Sequence, residues 1–422
     1  MKPEPGRVSK WGKVGTVSIV LFSVALCAAG LFYISTDIPS AASKYNENLS
    51  LAKTVGAVFS REDAVAMRKV PISENAYSLI QTFAIKIDAL HVDFFRVETS
   101  DSGFLDEWKP FEKYLPTVLA ASKRKYFIVD SDLKDPDSPP ATGLPNLPKW
   151  SQAMCWLADI SAKKSDLKTS RELLIAAAKL SIMFEHDPDF EAIRTRSEIA
   201  MAINHELSRL ITSHGGDQSW QILIQEVLSI LDRPYDLRPC YKFAHWLTLY
   251  QVQLSTGEIR EPSFTDVLSG ERFIPRYTKA TMSRVHELYG KMLNQYPADI
   301  GDFSKIADLN KNLFESGDYH AMSLKAFYYS LPNYSGRIWE IRYEEAQRNA
   351  VIQALAIKKG NLDPTKGLPI KGRNSFDLDG NLIRLRKLPK GWVVYSVGND
   401  GKDNGGDNTK RFNSDWVVDL SK

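Results

Sequence analysis

The feature that most constrains this chain is an uncharged run near its N-terminus. Residues 14–36 read VGTVSIVLFSVALCAAGLFYIST, with no Asp, Glu, Lys or Arg among the 23. At the helical rise per residue, this run reaches about 34 Å, enough for a hydrocarbon core of about 30 Å. Lys2, Arg7, Lys10 and Lys13 precede it; Asp37, Lys44 and Glu47 follow. Basic residues stay on the cytoplasmic side, which places residues 1–13 inside and everything beyond residue 37 outside. A cleaved signal peptide would have a shorter apolar core ending at a small-x-small site. ALCAAG, with Cys27, has something of that look. The apolar run continues through Leu31, Phe32, Tyr33 and Ile34, which favours an uncleaved anchor. The expected location is the inner (cytoplasmic) membrane, crossed once, with the bulk of the chain in the periplasm.

The rest of the 422 residues has a globular composition, 43% hydrophobic and 25% charged, enough for two or more cores. The net charge of +3 is spread over 54 basic and 51 acidic residues with no basic block, which argues against nucleic acid as a partner. Cys155 and Cys240 fall in the exported part, where a disulfide could persist. Their apolar helical settings, AMCWLA and RPCYKFA, read rather as two buried thiols.

Hydrophobic periodicity predicts a mainly α fold. Residues 37–129 form an N-terminal helical region of two or three helices, one of them starting near Pro71 and Ser73. Residues 130–149 hold five prolines and read as a linker or loop. Residues 150–360 read as an irregular, paired-helix, tetratricopeptide-like domain, although the signature of that repeat is absent. Its stripes include Trp150, Met154 and Leu157; then Leu173, Ala177, Leu180 and Phe184; then Ala200, Ile203, Leu207 and Leu210. The short turn between the first two predicts antiparallel packing. HGGD supplies a helix end at Gly215 and Gly216 and an N-cap at Asp217. The last long helix carries Trp339, Tyr343, Ala346, Ala350, Ala354 and Ile357, with Glu344 and Glu345 read as part of a solvated face. Beyond residue 360 the period changes to two. Ile383 and Leu385 alternate with Arg384 and Arg386, a turn follows at residues 389–391, then WVVYSV, and DWVVDL is the last strand. Residues 361–422 are therefore a small antiparallel β cap.

Motifs for chemistry are incomplete. HELSR at His205 and HELYG at His286 begin like a zinc-protease helix, but Arg209 and Gly290 stand where the second histidine belongs. No Gly-x-Ser-x-Gly elbow and no phosphate loop is present. DLDG, at residues 377–380, opens like a calcium-binding EF-hand loop, yet Leu388 takes the place of its bidentate Glu, so a turn is the better reading. The remaining feature is YSVGNDGKDNGGDN. Asp400, Asp403, Asp407 and Asp415 lie close together among glycines that permit tight turns. Calcium wants six to eight oxygens from carboxylates, amides and carbonyls, all of which this stretch could supply. On composition alone, a calcium loop and an ion-free polar loop both stand.

The residues YSVGNDGKDNGG…DWVV resemble the calcium-binding C-terminal segment of the major pseudopilins of type II secretion systems. They also resemble the tail of poorly characterised membrane-anchored proteins of planctomycetes and verrucomicrobia, matching at Tyr395, Ser396, Gly398, Gly401, Asp403, Gly405, Gly406 and Asp415, with Trp416 in place of the usual Ile. SENAYSLI, the paired-helix core and FDLDGNLIRLR resemble further parts of that second set, the last without its Asp-Pro. The pseudopilin likeness stops at the N-terminus, where the processed leader followed by Phe and a Glu at the fifth mature position is missing. The resemblance implies a structural calcium ion at Asp400, Asp403, Asp407 and Asp415 that staples the last loop to the sheet. The expected function is a membrane-anchored scaffold or interaction protein with an envelope partner, non-enzymatic because no catalytic constellation is complete. A component of a secretion or pilus-like assembly and an enzyme with scattered residues are the alternatives.

Overall fold

The computed structural model of the chain describes residues 40–80, 100–128, 146–255, 273–297, 303–315, 334–360, 364–368, 370, 377–378, 380–398, 401–406 and 415–421. The expected membrane span, residues 14–36, lies outside them, as does most of the proline-rich stretch. Among the described residues, no helix is long and apolar enough to cross a membrane.

The protein is mainly helical with a three-stranded antiparallel sheet. The helices are α1 (Tyr45–Thr54), α2 (Arg61–Met67), α3 (Tyr77–Ile80), α4 (Asp101–Glu112), α5 (Leu115–Ala121), α6 (Leu147–Lys163), α7 (Leu167–Ile182), α8 (Phe190–His214), α9 (Gln218–Leu231), α10 (Arg238–Ser255), α11 (Phe273–Asn294), α12 (Phe303–Asn310) and α13 (Tyr334–Lys358). The strands are β1 (Arg384–Leu388), β2 (Gly391–Ser396) and β3 (Trp416–Asp419). Two compact units divide the chain. One takes the described parts of residues 1–59, 244–295 and 311–332; the other takes those of 60–243, 296–310 and 333–422.

In the first unit α1 packs along α11. Ala52 is fully buried, and Gly290 lets the helices approach, since a Cβ there would sit 3.0 Å from Leu51. Asn48 donates to the Ser283 hydroxyl at 3.1 Å, which fixes the register of the pair.

The second unit has a large continuous apolar core, with a smaller cluster of Ala346, Leu378 and Val397 apart from it. Helices α6, α7 and α8 pack on one another, α9 joins against α7, and α13 lies along α8. The predicted stripes form this core: Trp150, Met154, Leu173, Ala177, Leu180, Phe184, Ala200, Ile203, Leu207 and Leu210 are all buried. Helix starts carry side-chain caps, with Asp166, Asp189 and Asp217 accepting the N–H groups of Thr169, Glu191 and Ser219. The sheet has order β1-β2-β3 and closes onto α8 and α13 through Val394, Val418 and Trp416.

Three expectations need correction. Among the described residues, the region before residue 125 holds five short helices rather than two or three; Pro71 lies between α2 and α3, and Pro116, in the first turn of α5, keeps α4 from running on. The proline-rich linker ends early: Leu147 already opens α6, with Pro148 in its first turn, where a missing N–H does no harm. Glu344 is not on a solvated face. It is fully buried where α13 packs along α8, with Asn204 and Tyr235 donating to it.

Candidate functional site

The C-terminal loop is built on the outer face of the sheet. Arg384 pairs with Tyr395 and Arg386 with Val393, so these four side chains share one face, opposite the core face of Val394. Tyr395 and Val393 are nonetheless buried, and the loop lies against the Tyr395 ring. Gly406 lies directly over the ring: a Cβ there would be 3.1 Å from Tyr395. Gly405 and Gly406 both have left-handed φ, 69° and 73°, a conformation that costs side-chain-bearing residues about 1 kcal/mol or more each.

This double left-handed turn points N–H groups inward. Asp415 is buried and accepts the Asn404 N–H at 3.0 Å and the Gly406 N–H at 2.6 Å. Asp403 accepts the Gly405 N–H at 2.8 Å and the Arg384 Nε–H at 2.9 Å. Arg384 also pairs with Asp377, whose buried carboxylate accepts the Ser396 hydroxyl at 2.5 Å and the Val397 N–H at 3.1 Å. Burial is the largest influence on the Asp377 carboxyl and raises its pKa above the usual carboxylate value, against the pull of those donors. DLDG, where Asp377 sits, closes as a turn: the Gly380 N–H meets the Asp377 carbonyl and the Asp377 N–H meets that of Asn381. Arg386 donates to the Gly406 carbonyl at 3.2 Å. The loop is thus held by a guanidinium between two carboxylates and by N–H groups wrapped around a third.

Of the four predicted calcium ligands, Asp400 and Asp407 lie outside the described residues. Asp403 and Asp415 do come to one loop. As placed, their oxygens accept N–H donors, whereas a calcium shell needs carboxylate and carbonyl oxygens turned toward a common point. Among the described residues, no group of three or more His, Cys, Asp and Glu is arranged to hold a metal.

Other polar clusters are interior. His205 accepts the Trp416 indole N–H at 3.3 Å, as a satisfied structural histidine does. His286 is buried and meets His245, with Nδ1 to Nε2 at 3.0 Å; His245 Nδ1 in turn lies 2.7 Å from the Val58 carbonyl. The carbonyl accepts the His245 Nδ1–H, so His245 Nε2 accepts from His286. Burial pushes the two imidazoles down to about 4 for His245 and about 3 for His286. The pair was invisible in the sequence because its members stand on different helices. Between α8 and α13, Glu344 accepts from Asn204, Tyr235 and Arg348 at 3.1–3.3 Å. Arg68 and Asp187 form a buried ion pair at 3.1 Å, and burial beside Asp187 raises the Asp189 carboxyl to about 6. Cys155 and Cys240 are buried thiols that form no disulfide. Burial and the nearby Asp189 and Asp187 push the Cys240 thiol well above its usual value, leaving it protonated and unreactive.

A groove of about 500 Å³ runs between α5, α7 and α9, floored by Leu119, Ile175 and Ala176 and rimmed by Lys123, Lys168 and Lys179. Arg171 closes its α9 side with a bidentate bond to Glu226, at 2.9 and 2.7 Å.

What the fold and these sites define is a helical protein with a small C-terminal sheet closed by an Asp/Gly loop. Comparison with protein-family models, curated proteins and solved structures finds no match to the chain.

Proposed function

We propose that this protein is a membrane-anchored extracytoplasmic scaffold that holds another envelope protein through its helical surface. The observation that carries this reading is the contrast between interior and surface. Several ionisable groups inside the fold are tied to partners: Glu344 to Arg348 within α13 and to Asn204 of α8, Arg68 to Asp187, and His245 to His286. The open groove on α5, α7 and α9 instead offers an apolar floor with a charged rim, the make-up of a protein-binding surface. The uncharged run at residues 14–36 supports the anchor, and the stacking of antiparallel helix pairs supports the tetratricopeptide-like comparison. The resemblance of the tail to pseudopilins extends the reading to a secretion or pilus-like assembly.

A structural calcium ion at the tail is the second reading, supported by the same resemblance and by the density of carboxylates. Such an ion would cross-link the last loop to the sheet. It would rest on Asp400 and Asp407 together with whatever lone pairs Asp403 and Asp415 have left beside their N–H donors.

The test of the scaffold is fractionation of cells that express the full chain. The expected result is retention in membranes after alkaline carbonate extraction, with residues beyond 37 open to protease from the periplasmic side. Release by carbonate would end the anchored reading, and protection of the bulk of the chain would end the extracytoplasmic one.

A further inference from the structure

Resting on the scaffold reading, we infer that the groove between α5, α7 and α9 docks an acidic amphipathic helix of a partner protein. Lys168, Ile175 and Lys179 follow one another on α7 at spacings of seven and four, so they form a single stripe. The two lysines stand eleven residues apart, about 16 Å at the helical rise, which equals three turns of a helix laid alongside. Ile175 lies between them, nearer Lys179, and Leu119 of α5 lines the same floor. Beyond the rim, Ile222 of α9 lies four residues before Glu226, hence on the same face, and is 58% exposed.

The charge around this floor selects the partner. Of the four cations lining the groove, Arg171 is neutralised by Glu226. That leaves Lys123, Lys168 and Lys179, all exposed, against the one carboxylate of Glu172. A helix with apolar residues at i, i+4 and i+7 and carboxylates on either side satisfies both floor and rim, the helix-in-groove mode of recognition. A basic helix would meet like charge at both ends of the path, and a polar helix would leave the floor wet.

The experiment uses three fluorescein-labelled peptides and the full chain in mild detergent, with binding read by anisotropy at physiological salt. One peptide has three leucines at that spacing flanked by Glu. The second replaces each Glu by Lys, and the third keeps Glu but replaces each Leu by Ser. The first should bind at least ~10-fold more tightly than either of the others. The double substitution Lys168→Glu and Lys179→Glu, on exposed positions, should reverse the preference between the first two. The inference is overturned if the Glu/Leu peptide shows no binding at ~1 mM, or if the charge reversal leaves the preference unchanged. It is equally overturned if phosphatidylglycerol vesicles, but not the peptide, bind in a way that depends on Lys168 and Lys179, since the groove would then face lipid. A peptide that fails while carbonate extraction leaves the chain in the membrane removes the groove alone. Peptide binding that holds while the chain is released by carbonate removes the anchor alone.

Discussion

Arg384 is the residue on which the C-terminal loop depends. Its guanidinium lies between the buried Asp377 and the loop residue Asp403, standing where a cation cross-link would. Replacing Arg384 by Ala should destabilise the cap by about 2–4 kcal/mol. That is somewhat less than for a fully buried pair, because the arginine is partly exposed. Lys should restore only part of the loss, since one ammonium does not reproduce the two-armed contact. Asp415→Ala should cost about 1–3 kcal/mol by stranding the Asn404 and Gly406 N–H groups. Hydrogen exchange of the β2 amides measures both. The buried imidazoles carry a pH prediction of their own. Their protons are bound less readily in the fold than in the unfolded chain, whose ordinary value is 6.5. The stability they contribute is full above pH 6.5 and falls as pH drops toward about 4, where His245 takes up its proton. Protection factors of the α1 and α11 amides, taken relative to intrinsic exchange at each pH, should therefore fall across that window, and His286→Phe should flatten the response.

At the scale of elements, periodicity was enough to place α7, α9 and the strands, because their apolar positions fall on one face. The N-cap at Asp217 was legible for the same kind of reason: a short polar side chain directly before an apolar run has one good use. Asp217→Ala should lower helix stability by about 1 kcal/mol, read as faster exchange in α9. What sequence could not reveal was polarity inside the core. Glu344 and Arg348 look like an exposed i,i+4 pair, and only the approach of α8, with Asn204, buries them. The Asp377 hub is similar, since Ser396, Val397 and Arg384 reach it only after the strands pair. By composition the tail glycines free carbonyls to face an ion; in the fold, the Gly405 N–H turns to Asp403 and the Gly406 N–H to Asp415 instead. Glu344→Ala should cost about 3–5 kcal/mol by leaving Arg348 charged and buried. A double replacement of Glu344 and Arg348 by apolar residues of similar size should cost less than that single change. A urea titration of the parent and the two variants decides this.

For the whole molecule, the tail closes over the sheet, and the groove is the surface proposed to meet a partner. If calcium shares in the closure, melting of the full chain should rise when calcium replaces chelator, by linkage to a site present only in the fold. Equal melting in both would leave the guanidinium and the N–H groups as the whole closure. The claim on which the account stands is that α5, α7 and α9 hold a partner protein in the envelope. The most direct measurement places a photo-crosslinking amino acid at position 175 of the full chain and irradiates intact cells. The account predicts a crosslink to one protein, through a helical segment rich in Asp and Glu, that disappears when Lys168 and Lys179 are changed to Glu. Crosslinks to lipid alone, or a protein adduct indifferent to those two charges, would contradict it.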